Sequence, residues 1–349
     1  MSIDQPRVSV IVNNHNYARF LPEAIESALG QSYDRCEVIV VDDGSTDDSR
    51  ARIAAYGDRV VTVFKERGGQ ASALNAGFAR SHGDIVVFLD ADDVLLPDAV
   101  RRIVEAFVAD DGLAKVQYRL EVVDESGRSL GRFIPAAHVA LPNGDLRRAV
   151  LRYPDDLAWA AMSGNAFPAW VLRRIMPIPT TAFPDVGADV YLLNVAPLFG
   201  PVASLDAVGA HYRVHGKNAY HRDALDLRQI RRMIGWSEAT HRAIHRFAAD
   251  SDLLALGSAS IGEQSLTLLA QRMISIRLDP AGHLVAGDTR CRLGAAGIAA
   301  SVRRRDRSLK FRLLYAGWFA AMPFAPRPVA RRLSRSFLFP EGGPVPVAT

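Results

Sequence analysis

The sequence predicts a doubly wound α/β sheet with a mainly helical C-terminal extension. Three observations carry this: four short, continuous apolar runs within the first 90 residues, a helical pattern after each of the first three, and long helical segments beyond residue 220. Runs without polar alternation are what a sheet covered on both faces by helices requires.

Taken in order, Val8–Val12 is the first strand, and Leu21, Ile25, Ala28 and Leu29 stand at helical spacing behind it. Glu37–Val41 is the second strand, closed by Asp42-Asp-Gly-Ser-Thr46, with a helix over Asp47–Ala55. Val60–Phe64 is the third, with a helix over Ala71–Ser81, and Ile85–Leu89 is the fourth. From about 115 to 215 the pattern loosens into strands and Pro/Gly-rich loops. Helices follow near 225–248, 252–277 and 288–305. Two domains are expected, 1–220 and 221–349, in keeping with a length of 349 residues.

Composition excludes several classes. At 49% apolar and 23% charged residues the chain has the make-up of an ordinary folded protein. Cys36 and Cys291 form neither a CxxC pair nor a disulfide framework, which fits a reducing cytoplasm. The first residues lack the features of an export signal. The net charge of +4 is unevenly spread: residues 290–349 carry twelve Arg and Lys against two acids, so the remainder is net acidic.

Ligands of wound sheets lie beyond the carboxyl ends of the strands. Those ends read Asn13-Asn-His-Asn16, Asp42-Asp-Gly44, Arg67-Gly-Gly-Gln70 and Asp90-Ala-Asp-Asp93, so the expected site is polar and acidic. Carboxylates such as Asp90 and Asp92 suit Mg²⁺ or Mn²⁺ shared with phosphate oxygens, and equally suit a solvated turn. Asp42 and Asp43 can read a base edge or a ribose hydroxyl, while Ser45 or Asp47 caps the next helix. Gly68-Gly69-Gln70 can offer helix N-terminal amides to an anion or serve as a plain loop. Asn75 follows on the same helix as a further polar candidate.

Together, Val8-Ser-Val-Ile-Val-Asn-Asn-His-Asn16, Val40-Val-Asp-Asp-Gly-Ser45, Gly69-Gln-Ala-Ser-Ala-Leu-Asn-Ala-Gly77 and Phe88-Leu-Asp-Ala-Asp-Asp93 resemble the family-2 glycosyltransferases of the GT-A fold. The likeness continues through Met162-Ser-Gly-Asn-Ala166, Gly187-Ala-Asp189 and Tyr212-Arg-Val-His-Gly-Lys-Asn218, and covers residues 6–220. The resemblance implies an inverting transfer of a sugar from a nucleotide diphosphate to an acceptor hydroxyl. Asn13, His15 and Asp43 fall at its nucleoside contacts, Asp90 at the DxD position near ribose or sugar, and Gln70 and Asn75 in its donor-binding run. Asp92 falls at the metal ligand, with His215 completing the metal and diphosphate site, and Asp189 falls at the general base. Ser163, Gly164 and Asn165 match a loop bordering the acceptor.

The chain departs from the family pattern where Asn13-Asn14-His15-Asn16 replaces Pro-Thr-Tyr-Asn and Ala188-Asp189 replaces Glu-Asp. Read without the family, Asp189 is a first-turn helix acid with Asp185 as rival, and His215 shares its neighbourhood with His211.

The implied partners are a nucleotide diphosphate sugar, a divalent Mn²⁺ or Mg²⁺ ion and a glycan or lipid-linked acceptor, in cell-surface polysaccharide or glycolipid synthesis. No stretch offers an uninterrupted membrane span. Leu313–Pro326, flanked by arginines, reads as an interfacial element dipping Trp318, Phe319 and Phe324 into an anionic membrane, or as a packed terminal helix with a basic face. The expected location is the cytoplasm, and on the interfacial reading the chain is peripheral to the inner face of the membrane. Nucleic acid is a poorer fit, since the aromatics do not interleave with the bases. The Gln-x-x-Arg-Trp signature of processive synthases is absent, favouring single-sugar addition. A nucleotidyltransferase or nucleotide-sugar hydrolase, and a non-catalytic nucleotide-sugar binding module at the membrane, are the rival readings.

Overall fold

The computed structural model describes residues 5–216, 218, 225–251, 253–256 and 261–338. The chain divides into two units, one formed by 1–146 with 159–221 and the other by 147–158 with 222–349. A single cut near 220 therefore misses the excursion at 147–158.

The first unit opens with β1 (Val8–Asn14), α1 (Leu21–Leu29), β2 (Cys36–Asp43), α2 (Ser49–Ala54), β3 (Val61–Lys65), α3 (Gln70–Arg80) and β4 (Ile85–Asp90). A two-residue β5 (Val94–Leu95), α4 (Ala99–Ala109), β6 (Lys115–Val123) and β7 (Ser129–Ile134) follow. After α5 (Arg147–Arg152), which belongs to the second unit, the chain returns with β8 (Asn165–Pro168), α6 (Ala169–Ile175), α7 (Ala188–Val195) and β9 (Val202–Arg213). The strands form one mixed sheet in the order β3-β2-β1-β4-β8-β6-β9-β5, with β7 paired to β6.

The parallel half positions the site. β1 pairs with β2 so that Asn14 lies opposite Asp42, and with β4 so that Asn13 lies opposite Asp90. β2 pairs with β3 so that Asp43 lies opposite Lys65. Residues that end separate apolar runs in the sequence thus share one rim of the sheet. Val10, Val12, Val40, Val87 and Leu89 are wholly buried behind that rim. Close packing of α3 on the sheet depends on Gly77, where a Cβ would lie 2.4 Å from Ile11 Cγ2.

The stretch read as strands and loops also contains α5, α6 and α7. All eight residues of α7 except Val190 are buried, so it shows no amphipathic period to read.

The second unit is helical: α5, α8 (Leu227–Asp250), α9 (Leu266–Leu278), α10 (Arg290–Arg303), α11 (Leu309–Ala321) and α12 (Arg327–Leu338). The excursion belongs here because Asp156 accepts the first backbone amides of α9, from Leu266 at 2.9 Å and Thr267 at 2.8 Å, and pairs with buried Arg304. Asp155 likewise meets His241 Nε2 at 2.8 Å. Met273, Ile274 and Phe319 are fully buried in this unit's core. Phe319 sits against Gly297, whose added Cβ would come within 2.1 Å of its ring. Phe319 is thus a core residue, and half-buried Trp318 donates from Nε1 to Leu333 O at 3.0 Å; neither is the lipid-dipping aromatic expected from sequence.

Gly77→Val is expected to lower stability by about 1–3 kcal/mol, the usual cost of forcing methyl groups into a packed core. A thermal midpoint equal to that of the wild type would show that α3 does not depend on this contact.

Candidate active site

The rim of the parallel strands gathers three acids at the end of β4. Asp90 ends β4 and accepts a hydrogen bond from Asn13 Nδ2 at 2.7 Å. Burial, then the charges of Asp92 and Asp189, push its carboxyl up to about 7. Asp93 is buried and held well above the ordinary carboxylate range by the same burial and by Asp92 and Asp90. It accepts from Ser163 Oγ at 2.6 Å and from the Arg213 amide at 3.1 Å. Asp92 Oδ2 meets His215 Nε2 at 3.0 Å. The His215 ring is stacked on Phe20 at 4.9 Å and meets Tyr17 edge-on at 5.5 Å.

A chain of contacts ties the rim to Asp189. Asp43 accepts from Lys65 Nζ at 2.5 Å, from Gly68 N at 2.9 Å and from Gly69 N at 2.7 Å, while His15 Nδ1 lies 2.8 Å from the Asp43 carbonyl oxygen. Gly69 has φ +81°, and a Cβ there would fall 1.8 Å from Pro184 O, so only glycine allows this approach. Next to it, Gln70 N donates to Asp185 O at 2.8 Å. The Gln70 side-chain oxygen accepts from Gly187 N at 3.1 Å and Ala188 N at 3.2 Å. These amides open α7, which carries buried Asp189 in its first turn, and the Gln70 side chain lies beside Asp90, where it favours the ionised carboxyl. One residue therefore registers the DxD carboxylate and the Asp189 helix against each other.

Asn13, His15, Asp43, Gln70, Asp90, Asp92, Asp189 and His215 thus belong to one connected rim. Other expectations are corrected. The Gly68, Gly69 and Gln70 amides, read from sequence as an anion cradle or a plain loop, bond Asp43 and Asp185, in keeping with the loop. Asn75 pins a loop, donating to the Ile178 carbonyl at 2.9 Å and accepting from the Ile178 amide at 2.8 Å. Ser163, Gly164 and Asn165 are wholly buried and do not line an acceptor pocket. Ser163 Oγ accepts from the Asp90 amide at 3.1 Å, a Cβ on Gly164 would meet Leu120 at 2.5 Å, and Asn165 donates to the carbonyls of Ala160 and Ala161.

Sequence reasoning passed over Arg213, Asn218 and Phe20. The Arg213 guanidinium, 2% exposed with its residue, donates to Asp92 O at 3.0 Å, Glu125 O at 3.1 Å and Glu23 at 2.6 Å. Asn218 accepts from His215 N and donates to Arg213 O. Both stand inside the Tyr212–Asn218 run, beside His215. Phe20 carries no polar signal.

Asp92 and His215 offer an oxygen and an imidazole nitrogen converging at the rim, a donor pair that fits a divalent ion completing its shell with phosphate oxygens. Among the described residues no group of three His, Cys, Asp or Glu side chains is arranged around an ion site. Ligand oxygens would have to supply the rest.

Comparison with known proteins agrees with the geometry. Residues 9–166 match the family described as Glycosyl transferase family 2. Residues 9–166 are thus a family-2 glycosyltransferase domain, and the sheet that carries them has the GT-A fold. An uncharacterized glycosyltransferase of Nostoc sp. is 34% identical over 216 residues, 61% of this chain and 66% of the relative. The succinoglycan biosynthesis protein ExoO of Rhizobium meliloti is 39% identical over 141 residues, 39% of this chain and 40% of the relative. The chain spans less than two thirds of the length of these curated relatives. Among solved structures, Staphylococcus aureus TarS 1–349 shares the fold with a TM-score of 0.57 at 15% identity, covering 95% of this chain and 91% of that one.

The raised Asp90 carboxyl sets a sign for pH dependence. Between about pH 4 and 7 the unfolded chain has released this proton while the folded chain keeps it, so stability falls as pH rises through that window. Asp90→Asn removes the titration, so the ligand-free variant should gain thermal midpoint over the wild type on going from pH 5 to pH 8. A difference that stays constant across that range would show that Asp90 ionises normally.

Proposed function

We propose that the chain is an inverting sugar transferase that moves a sugar from a nucleotide diphosphate donor to an acceptor hydroxyl. The observation that carries this reading is the meeting of Asp90, Asp92 and Asp189 at one strand rim, with His215 on Asp92. Two barriers oppose the reaction: negative charge grows on the departing diphosphate, and the acceptor hydroxyl must lose its proton as the new bond forms. A divalent ion held by Asp92 and His215 would neutralise the leaving group. Asp189 is the general base, taking the acceptor proton, a contribution worth about 10²–10⁴ in rate. Asn13 holds Asp90 toward the donor side, and Gln70 keeps α7 in register with it. Asp43 and His15 border the nucleoside, with Asp43 acting also through the loop it fastens.

The ExoO relative, named for succinoglycan biosynthesis, supports a glycan or lipid-linked acceptor in cell-envelope polysaccharide or glycolipid synthesis. A nucleotide-sugar donor is in keeping with TarS, which was crystallised in complex with UDP-GlcNAc. The proposed location is the cytoplasmic side of the cell membrane, held peripherally. No helix among the described residues is long and apolar enough to cross a membrane.

Thermal shift against a panel of nucleotide sugars with Mn²⁺ identifies the donor, since a bound ligand stabilises the fold in proportion to its occupancy. With that donor, Asp189→Asn should keep binding and lose about 10²–10⁴ in acceptor-dependent release of nucleoside diphosphate. Unchanged turnover would remove Asp189 from the chemistry, and release of pyrophosphate or of free sugar without acceptor would replace the transferase reading. Asp92→Ala should weaken donor binding in Mn²⁺ and abolish its sensitivity to EDTA. Donor binding by the wild type that is equal with and without EDTA would exclude the ion.

A further inference from the structure

The helix α11 is apolar on two sides. Its inner side, with Phe311, Trp318, Phe319 and Met322, packs into the second unit's core. Its outer side is equally apolar and exposed: Leu309, Leu313 and Leu314 are 65%, 64% and 67% exposed, and Phe324 just past its end is 77% exposed. Gly317 and Ala320 fall between them on the same face, so the patch continues along the whole helix. A run of this length and hydrophobicity turned toward water is unusual for a packed domain.

Its surroundings are cationic. Exposed Arg303, Arg305 and Lys310 stand at the N-terminal end of α11, and exposed Arg331 and Arg335 on α12, which the Trp318–Leu333 hydrogen bond fastens to α11. Neither helix contains an acid, and Asp306, just before α11 in sequence, is paired with Arg304. We infer that the outer face of α11, with the exposed basic residues Arg303, Arg305 and Lys310 at its N-terminal end, docks on an anionic lipid bilayer, its leucines and Phe324 entering the acyl boundary while the cations meet headgroups. A second copy of the chain fits the patch less well, because a two-fold contact would bring the same arginines against one another. A nucleic acid would leave the leucines in water.

The inference deepens the peripheral location proposed above, and its test reads no turnover, so failure of the sugar-transfer reading leaves it standing. The full chain is sedimented with vesicles of phosphatidylcholine alone or with phosphatidylglycerol added. Pelleting is expected with the anionic vesicles only, and falls as salt rises. The triple variant Leu313→Gln/Leu314→Gln/Phe324→Gln, altered only at exposed positions, should keep its thermal midpoint and cease to pellet. Arg303→Gln/Arg305→Gln/Lys310→Gln should weaken partitioning about a hundredfold, at roughly fivefold per cation. No pelleting of the intact chain, or equal pelleting of the leucine variant, overturns the inference. So does a wild-type dimer that the leucine variant abolishes, or binding to polyuridine RNA without binding to vesicles.

Discussion

The mutual repulsion of carboxylates at the end of β4 is the constraint around which the first unit is arranged. Asp90, Asp92 and Asp93 stand within four residues, Asp93 is buried, and Asp189 adds its charge from another element. A fold tolerates such a cluster only where each acid has a donor or a proton. Asn13 serves Asp90, Ser163 and the Arg213 amide serve Asp93, and His215 serves Asp92. The raised carboxyls of Asp90 and Asp93 are the remaining tension, met by protonation in the ligand-free chain.

Positioning of this cluster against Asp189 comes down to one glycine and one glutamine. Gly69 can pass Pro184 at a distance no side chain permits, which lets Gln70 reach both the Asp185 carbonyl and the opening amides of α7. The helix start is thereby capped from outside its own segment, since no side chain of Gly187 is there to do it. The same loop is fastened at its other end by Asp43. A change at Asp43 would therefore reach Asp189 through backbone geometry as well as through any contact with a nucleoside.

What the sequence made legible follows from this physics. Apolar runs ending in Asn13, Asp42, Asp43 and Asp90 could be read as parallel strands, and parallel register then put those ends together without further information. The partners of polar side chains could not be read. Asn75, Ser163 and Asn165 look like site residues because they are polar within motif runs, yet each is turned inward to satisfy a backbone group or a buried acid. Gln70 was legible as a site residue but not as a helix cap, because its partners lie more than a hundred residues away.

The same limit governs α11. Its composition announces an apolar helix flanked by bases, and the alternatives of core packing and membrane contact are both compatible with that composition. What separates them is small residues on a neighbouring helix: Gly294 and Gly297 of α10 leave room for Pro323 and for the Phe319 ring, and so select one side of α11 as the inner side. Once Phe319 is drawn inward, helical geometry turns Leu313 and Leu314 outward, since they lie on the far arc. Core packing and an exposed apolar face are then two consequences of one helix orientation, and α12 is fastened to the inner side through Trp318.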